Sequence, residues 1–226
     1  MSTIDRPRLA PLVAGERLDQ PEFHQRYSAM PDIRCELIEG IVHMPSPLGD
    51  RHGHADATAT GWLFNYRAKT PGVRVHSNSS VVLGASSEVQ PDVILRILPE
   101  NGGASRNFRS ILAGPPELVL EIAASSRAVD LGIKLAAYER AGVLEYLVLA
   151  VDPDEVFWHV RRDGKLVRIN ADPDGIYRSS TFPGLWLDPV AIFADDPSAL
   201  LATLDLGLAS PEHAAFVVRL DAASGG

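Results

Sequence analysis

The chain of 226 residues contains a single cysteine, Cys35. One thiol excludes an internal disulfide framework and suits a reducing cytoplasm. Cys35 itself reads as a small buried hydrophobe rather than a nucleophile. Long apolar runs are missing too: nothing approaches the roughly 18 residues of a membrane span, and the N-terminus lacks a signal-peptide core. The expected setting is therefore cytoplasmic, with no membrane partner. Positive charge is scarce, with 21 Lys and Arg against 29 Asp and Glu, a net charge of −8. Proteins that grip DNA non-specifically present a basic face, so this balance argues against strong unaided duplex binding unless a local basic stripe exists. No internal repeat, Walker-type glycine loop or heptad seam is present. What remains is ordinary globular composition, 46% hydrophobic and 22% charged, enough for a sizeable core. The expected division is a poorly ordered lead-in over 1–17, one domain over 18–206 and a helical tail over 207–226.

The most informative stretch is Pro116–Ala150, PELVLEIAASSRAVDLGIKLAAYERAGVLEYLVLA. Its apolar run Leu118–Ile122 is interrupted by Glu121, and an ionisable residue inside a buried strand needs a reason. Alternation puts Val119, Glu121 and Ala123 on one face and Leu118, Leu120 and Ile122 on the other. Ser125 or Ser126 offers a helix N-cap and Gly142 a stop. Asp130 and Lys134, four apart, share a face of that helix near the strand end. Glu145–Val151 follows as a second strand. Upstream, Gln90-Pro91-Asp92-Val93-Ile94-Leu95 is another strand opened by a carboxylate, with Pro91 suited to a strand's first residue. Two carboxylates and a lysine converging on one sheet end can hold a hard cation such as Mg²⁺ and orient a water or stabilise phosphate charge.

At Pro91-Asp92 and Glu121 the chain resembles the PD-(D/E)xK nuclease superfamily, and more closely the Uma-two family of restriction endonucleases. The matching words are CELIEG at Cys35–Gly40, MPSP at Met44–Pro47, QPDV at Gln90–Val93 and PELVLEIAASS at Pro116–Ser126. They continue through Asp130, Lys134 and Tyr138 to AGVLEYLV at Ala141–Val148 and FPGLWLD at Phe182–Asp188. The resemblance implies a restriction-endonuclease-like α/β (α+β) fold: a mixed central sheet flanked by helices, with an added C-terminal antiparallel meander. It implies a metal-dependent endonuclease acting on DNA, with Asp92 and Glu121 as ligands of Mg²⁺, which Mn²⁺ can replace. The superfamily lysine would stand two residues after Glu121, where this chain has Ala123; the resemblance implies that Lys134 supplies the charge instead. It also makes Glu36 a catalytic candidate, against a hairpin surface carboxylate, and His52 an active-site neighbour, against a capping or exposed histidine. Enzymes that cut both strands are suited by a homodimer. A catalytically inactive descendant that binds nucleic acid or protein is the alternative, and the net acidity keeps it open.

Along the rest of the chain, Leu18–Met30 is expected as a helix capped by Asp19. Arg34–Met44 is expected as two strands turning at Glu39-Gly40, and Arg51–Ala68 as a helix. Strands follow at Val73–His76 and Val81–Leu83; Gly84–Val89 is a turn, and the strand order runs from the first hairpin through Val81–Leu83 to Asp92 and Glu121. Pro99–Pro116 is a long connection whose Arg106 and Arg109 either meet phosphates or lie on a solvated excursion. Glu155–Arg161, Lys165–Asn170 and Tyr177–Thr181 form the meander, with Asp163-Gly164 at a hairpin tip. Arg161 and Arg162 belong to the densest basic patch there, either a nucleic-acid contact or charge for solubility. Phe182–Leu187 seals the core, and helices follow over Pro189–Leu206 and Ser210–Leu220.

Overall fold

A computed structural model describes residues 9–30, 32–45 and 49–225. Residues 1–8 of the lead-in and Ser46-Pro47 of the MPSP word lie outside the described residues. Among the described residues the first element is α1 (Gln20–Tyr27), whose Asp19 cap accepts from Glu22 N–H. The hairpin β1 (Glu36–Ile38) and β2 (Ile41–His43) follows, turning at Glu39 and Gly40, both at positive φ. Next come α2 (Asp50–Ala68), β3 (Val73–Ser77), β4 (Val81–Gly84), β5 (Ser87–Val89) and β6 (Val93–Ile97). A hairpin of β7 (Arg106–Phe108) and β8 (Ile111–Ala113) precedes β9 (Leu118–Ala123). Then α3 (Arg127–Val129), a π-helical turn over Asp130–Lys134 and α4 (Leu135–Ala141) lead to β10 (Glu145–Val151), β11 (Asp154–Arg162) and β12 (Lys165–Ile169). The short pair β13 (Tyr177–Arg178) and β14 (Trp186–Leu187) precedes α5 (Pro189–Phe193), α6 (Pro197–Leu208) and α7 (Pro211–Ser224).

The fold is mixed α/β. The central sheet has the order β12-β11-β10-β9-β6-β3, with β9 and β10 parallel and the other pairs antiparallel. A parallel pair needs a crossover, and α3 to α4 supply it. The meander is thus continuous with the sheet, β11 and β12 extending it beyond β10. Every residue of β9 and β10 is buried, as expected of strands covered on both faces. Leu118, Leu120 and Ile122 pack towards Trp62, Tyr66, Leu204 and Phe216 of α2, α6 and α7. Val119 and Ala123 lie in the opposite cluster with Val81, Tyr138 and Val148, so Glu121 faces that second layer.

Two expectations are corrected. Val81–Gly84 belongs not to the central sheet but to a second one, ordered β2-β1-β5-β4-β8-β7. The segments read as a turn at 84–89 and as a connection at 99–116 supply β5, β7 and β8 of that sheet. These strands are three residues long; β5 (Ser-Glu-Val) and β7 (Arg-Asn-Phe) are largely polar, and the apolar β8 (Ile-Leu-Ala) is too short to show a period. Glu88 is buried in β5 because Gln20 Nε2 reaches its Oε2 at 2.7 Å and His24 Nδ1 lies 3.0 Å from its Oε1.

Candidate active site

The register of β6 on β9 pairs Val93 with Leu120. Continued one step beyond the strand, that register brings Asp92, in the bend just before β6, beside Glu121. The Ile122 N–H donates to Asp92 Oδ2 at 2.8 Å and locks this juxtaposition. Like charges directly opposite one another are destabilising, so the arrangement needs cations. The π turn brings one: Lys134 Nζ lies 2.9 Å from Glu121 Oε1, 3.0 Å from Glu36 Oε2 and 3.8 Å from Asp130 Oδ1. Extra residues in a helical turn commonly mark functional segments, because they re-aim side chains that a regular helix would carry elsewhere. Tyr138, four residues on, donates its hydroxyl to Glu121 Oε1 at 2.7 Å. Glu36 joins the halves of the site, its Oε1 accepting the Gln90 N–H at 2.7 Å. On the other side of Asp92, His52 Nε2 lies 3.3 Å from Oδ2 and Arg34 Nη2 3.4 Å from Oδ1. Arg34 Nη2 also donates to Gln90 O at 2.9 Å.

Burial, and then the charges of Asp92, Asp130 and Glu36, raise the pKa of Glu121 despite Lys134. Asp130 is raised for the same first reason. Burial alone would lower Lys134, but Glu121, Glu36 and Asp130 overcome it and hold the ammonium protonated. Asp92 behaves oppositely to Glu121: its burial is outweighed by His52 and the Ile122 N–H, so its pKa falls. His52 is raised, chiefly by Asp92. Two facing carboxylates thus have pKa values displaced in opposite directions, a mark of functional sites.

These side chains line a cleft of about 220 Å³. Four carboxylates (Glu36, Asp92, Glu121 and Asp130) face two permanent cations, Lys134 and Arg34. Four buried polar atoms lack a hydrogen-bond partner among the described residues: Arg34 Nε, His52 Nδ1, Asp130 Oδ2 and His159 Nδ1. Three of these belong to cleft residues, although buried polar groups are normally satisfied. Among the described residues no group of three or more His, Cys, Asp or Glu converges in a form that could hold a metal ion. Mg²⁺ does not require one, since it keeps several waters and takes one or two carboxylates plus a substrate phosphate. Of the unpartnered cleft atoms only Asp130 Oδ2 is an oxygen; with the neighbouring Asp92 and Glu121 carboxylates it is the part of the cleft that fits a hard divalent cation.

Asp92, Glu121, Lys134, Glu36, Asp130 and His52 are therefore brought together. Arg106 and Arg109 are not; they sit on the β7–β8 hairpin. Arg161 is turned inward, its Nη1 donating to Glu139 O and Val143 O, while Arg162 stands exposed at the β11–β12 tip. Sequence reasoning assigned no role to Arg34 or Tyr138. Both had a spacing signal: Arg34 lies two residues before Glu36, and Tyr138 four after Lys134. Ala123, at the superfamily's lysine position, is fully buried in the apolar layer.

With this geometry in place, residues 20–190 match the family described as "Uma2: Putative restriction endonuclease". The chain belongs to that family. Among solved structures it is similar to a protein from Anabaena variabilis ATCC 29413, described as a putative nuclease belonging to DUF820. That likeness has a TM-score of 0.58 and 16% identity, covering 75% of this chain and 96% of the other; it shows the fold that this Uma2-family chain shares. A comparison with curated proteins gives no match. Among the described residues, no helix of this family member is long and apolar enough to cross a membrane.

Proposed function

We propose that this Uma2-family chain is a divalent-metal-dependent endonuclease that hydrolyses phosphodiester bonds in DNA. The observation that carries the reading is the Lys134 ammonium, buried 2.9 Å from Glu121, on a strand where Glu121 faces Asp92. A buried ion pair is a poor source of stability, and two facing carboxylates make it poorer still. Such an arrangement is understood as a binding site for positive charge and for phosphate. Asp92 and Glu121 would hold Mg²⁺, or Mn²⁺ in its place, which supplies Lewis-acid stabilisation of the phosphate. Lys134 orients the attacking water or carries charge developing on the phosphate oxygens. Glu36 has both oxygens engaged, by Gln90 N–H and by Lys134, and is a positioning residue. Asp130 and His52 hold Lys134 and Asp92 in the same way. A two-fold dimer would let two such sites address the two strands.

The net charge of −8 favours a second reading, an inactive nuclease-fold module that binds nucleic acid or protein. Plasmid nicking separates the two. Nicking should require Mg²⁺ or Mn²⁺ and fall on the order of 10²–10³-fold in Asp92→Ala and Lys134→Ala. Absence of nicking by the wild-type chain, together with no Mn²⁺ binding by calorimetry, would overturn the enzyme reading in favour of the module.

A further inference from the structure

Arg96 on β6 is 1% exposed, yet no carboxylate among the described residues hydrogen-bonds to it. Its Nε–H donates to His76 Nε2 at 3.2 Å, its Nη1 to Ser105 O at 3.0 Å and its Nη2 to Asn107 Oδ1 at 3.0 Å. Arg74 stands directly opposite it in the β3–β6 register, adding a like charge. Glu117 and Glu100 act on it only as charges at a distance, and both Glu117 oxygens accept backbone N–H groups, from Ile97 and Ala104. A buried cation held by neutral groups alone is costly.

The consequence lies in what Arg96 leaves free. By filling the acceptor Nε2 of His76 it leaves that ring's proton on Nδ1. By filling Oδ1 of Asn107 it leaves the amide NH₂ as the available group. Burial first, then the Arg96 and Arg74 charges, push the His76 pKa down to about 4, so the ring stays neutral and keeps this tautomer. Both residues line a pocket of about 410 Å³ between β3 and the β7–β8 hairpin, with Ser79, Ser80, Ser110 and Arg109. No carboxylate lines it. A wall of N–H and O–H donors beside Arg109, with a buried cation behind it, is the complement of an oxyanion.

We propose that this pocket, walled by His76, Asn107 and Arg109, with Arg96 buried behind His76 and Asn107, binds a phosphate group. Its position suggests whose phosphate. Asn78, on its rim, donates its N–H to Asp92 O at 2.9 Å. His76 pairs with Ile94, two residues from Asp92, and such diagonal neighbours are about 7–8 Å apart. The pocket therefore adjoins the cleft and takes the phosphate of a neighbouring nucleotide in the strand being cut. That assignment to a strand rests on the nuclease reading; recognition of phosphate does not. A free nucleotide is the other source of the same chemistry.

The test is binding by the full chain in EDTA, where cleavage plays no part. The probes are inorganic phosphate, a deoxynucleoside 5′-monophosphate and a short single-stranded oligonucleotide, followed by calorimetry and by the His76 and Arg96 side-chain NMR signals. Two variants are compared with the wild type. Arg109→Glu changes an exposed rim residue. Asn107→Asp gives Arg96 a carboxylate partner and should raise Tm while expelling phosphate. Each should weaken binding at least tenfold, and the wild-type His76 signal should move with ligand. Binding of all three probes alike identifies a free-phosphate site, and binding of the oligonucleotide alone a strand site. Absence of binding to the wild type, or wild-type affinity in both variants, overturns the proposal. Phosphate binding by a wild-type chain that neither nicks DNA nor binds Mn²⁺ would sink the nuclease reading and leave this one standing.

Discussion

Glu121 and Glu145 are buried carboxylates on adjacent parallel strands, and the difference between them is what reaches their oxygens. Glu145 accepts from Trp158 Nε1, the Ser179 and Ser180 hydroxyls and the Ser180 and Thr181 N–H groups. It is a satisfied structural residue. Glu121 has one oxygen occupied, by Lys134 and Tyr138, and faces Asp92. A folded-state pKa raised above the ordinary 4.5 means that the fold holds this proton more tightly than the unfolded chain. The charge at Glu121 therefore costs nothing at or below that pH, and its cost grows as pH rises towards the raised value. Glu121→Gln keeps the acceptor for Lys134 and Tyr138 and mimics the protonated form. In EDTA the variant should melt with the wild type at low pH and above it at neutral pH, by about 1 kcal/mol or about 2–4 °C for a chain of this length. Nicking should be lost. Calorimetric scans across pH check this, and a variant less stable at neutral pH than at low pH relative to wild type would refute it.

At the scale of elements, close backbone approach sets a second limit. Helix α6 crosses the loop after Phe182 so tightly that a Cβ on Gly207 would stand 2.3 Å from Gly184 O and 2.8 Å from Trp186 Cγ. The nearest atom is backbone and cannot swing aside. Gly207→Ala should cost about 1–3 kcal/mol through overpacking, seen as a Tm several degrees lower; an unchanged Tm would mean that the helix lifts freely off the loop. The same scale explains what was legible in the sequence. Strands β6, β9 and β10 and helix α2 announced themselves by apolar periodicity, and the caps at Asp19 and Ser210 by residue type. The short strands of the second sheet had no period to read, and the pairings that join its hairpins, β1 with β5 and β4 with β8, are distant in sequence. Asp92, Glu121 and Lys134 were legible because a charge inside an apolar run is conspicuous. The π turn was not, since its insertion shows only in the hydrogen bonds of the helix. Arg96 escaped notice because an arginine near the end of a strand looks solvated until β7 covers it.

At the scale of the whole molecule, the question is how a chain of net charge −8 would hold a polyanion. Much of its positive charge is already engaged at the surface. Arg51 pairs with Asp154, Arg127 and Arg168 share Glu155, Arg140 pairs with Glu39, Lys165 with Glu139, and Arg178 with Asp172 and Asp174. The exposed cations that make no ion pair among the described residues, Arg67, Lys69, Arg106 and Arg109 among them, belong to a chain in which acids outnumber bases, and the cleft itself carries excess negative charge until a divalent cation enters it. Two consequences follow for duplex binding measured by fluorescence anisotropy. The plot of log affinity against log salt should be shallow, with a slope of about −3 or less in magnitude, corresponding to about three phosphates. Ca²⁺, added in place of Mg²⁺, should raise the affinity by bridging phosphate to the carboxylates, and Asp92→Asn should abolish that gain. A slope of about −6 or steeper, unaffected by Ca²⁺, would mean that a broad basic face binds DNA. The carboxylate cleft would then no longer be where the nucleic acid is held.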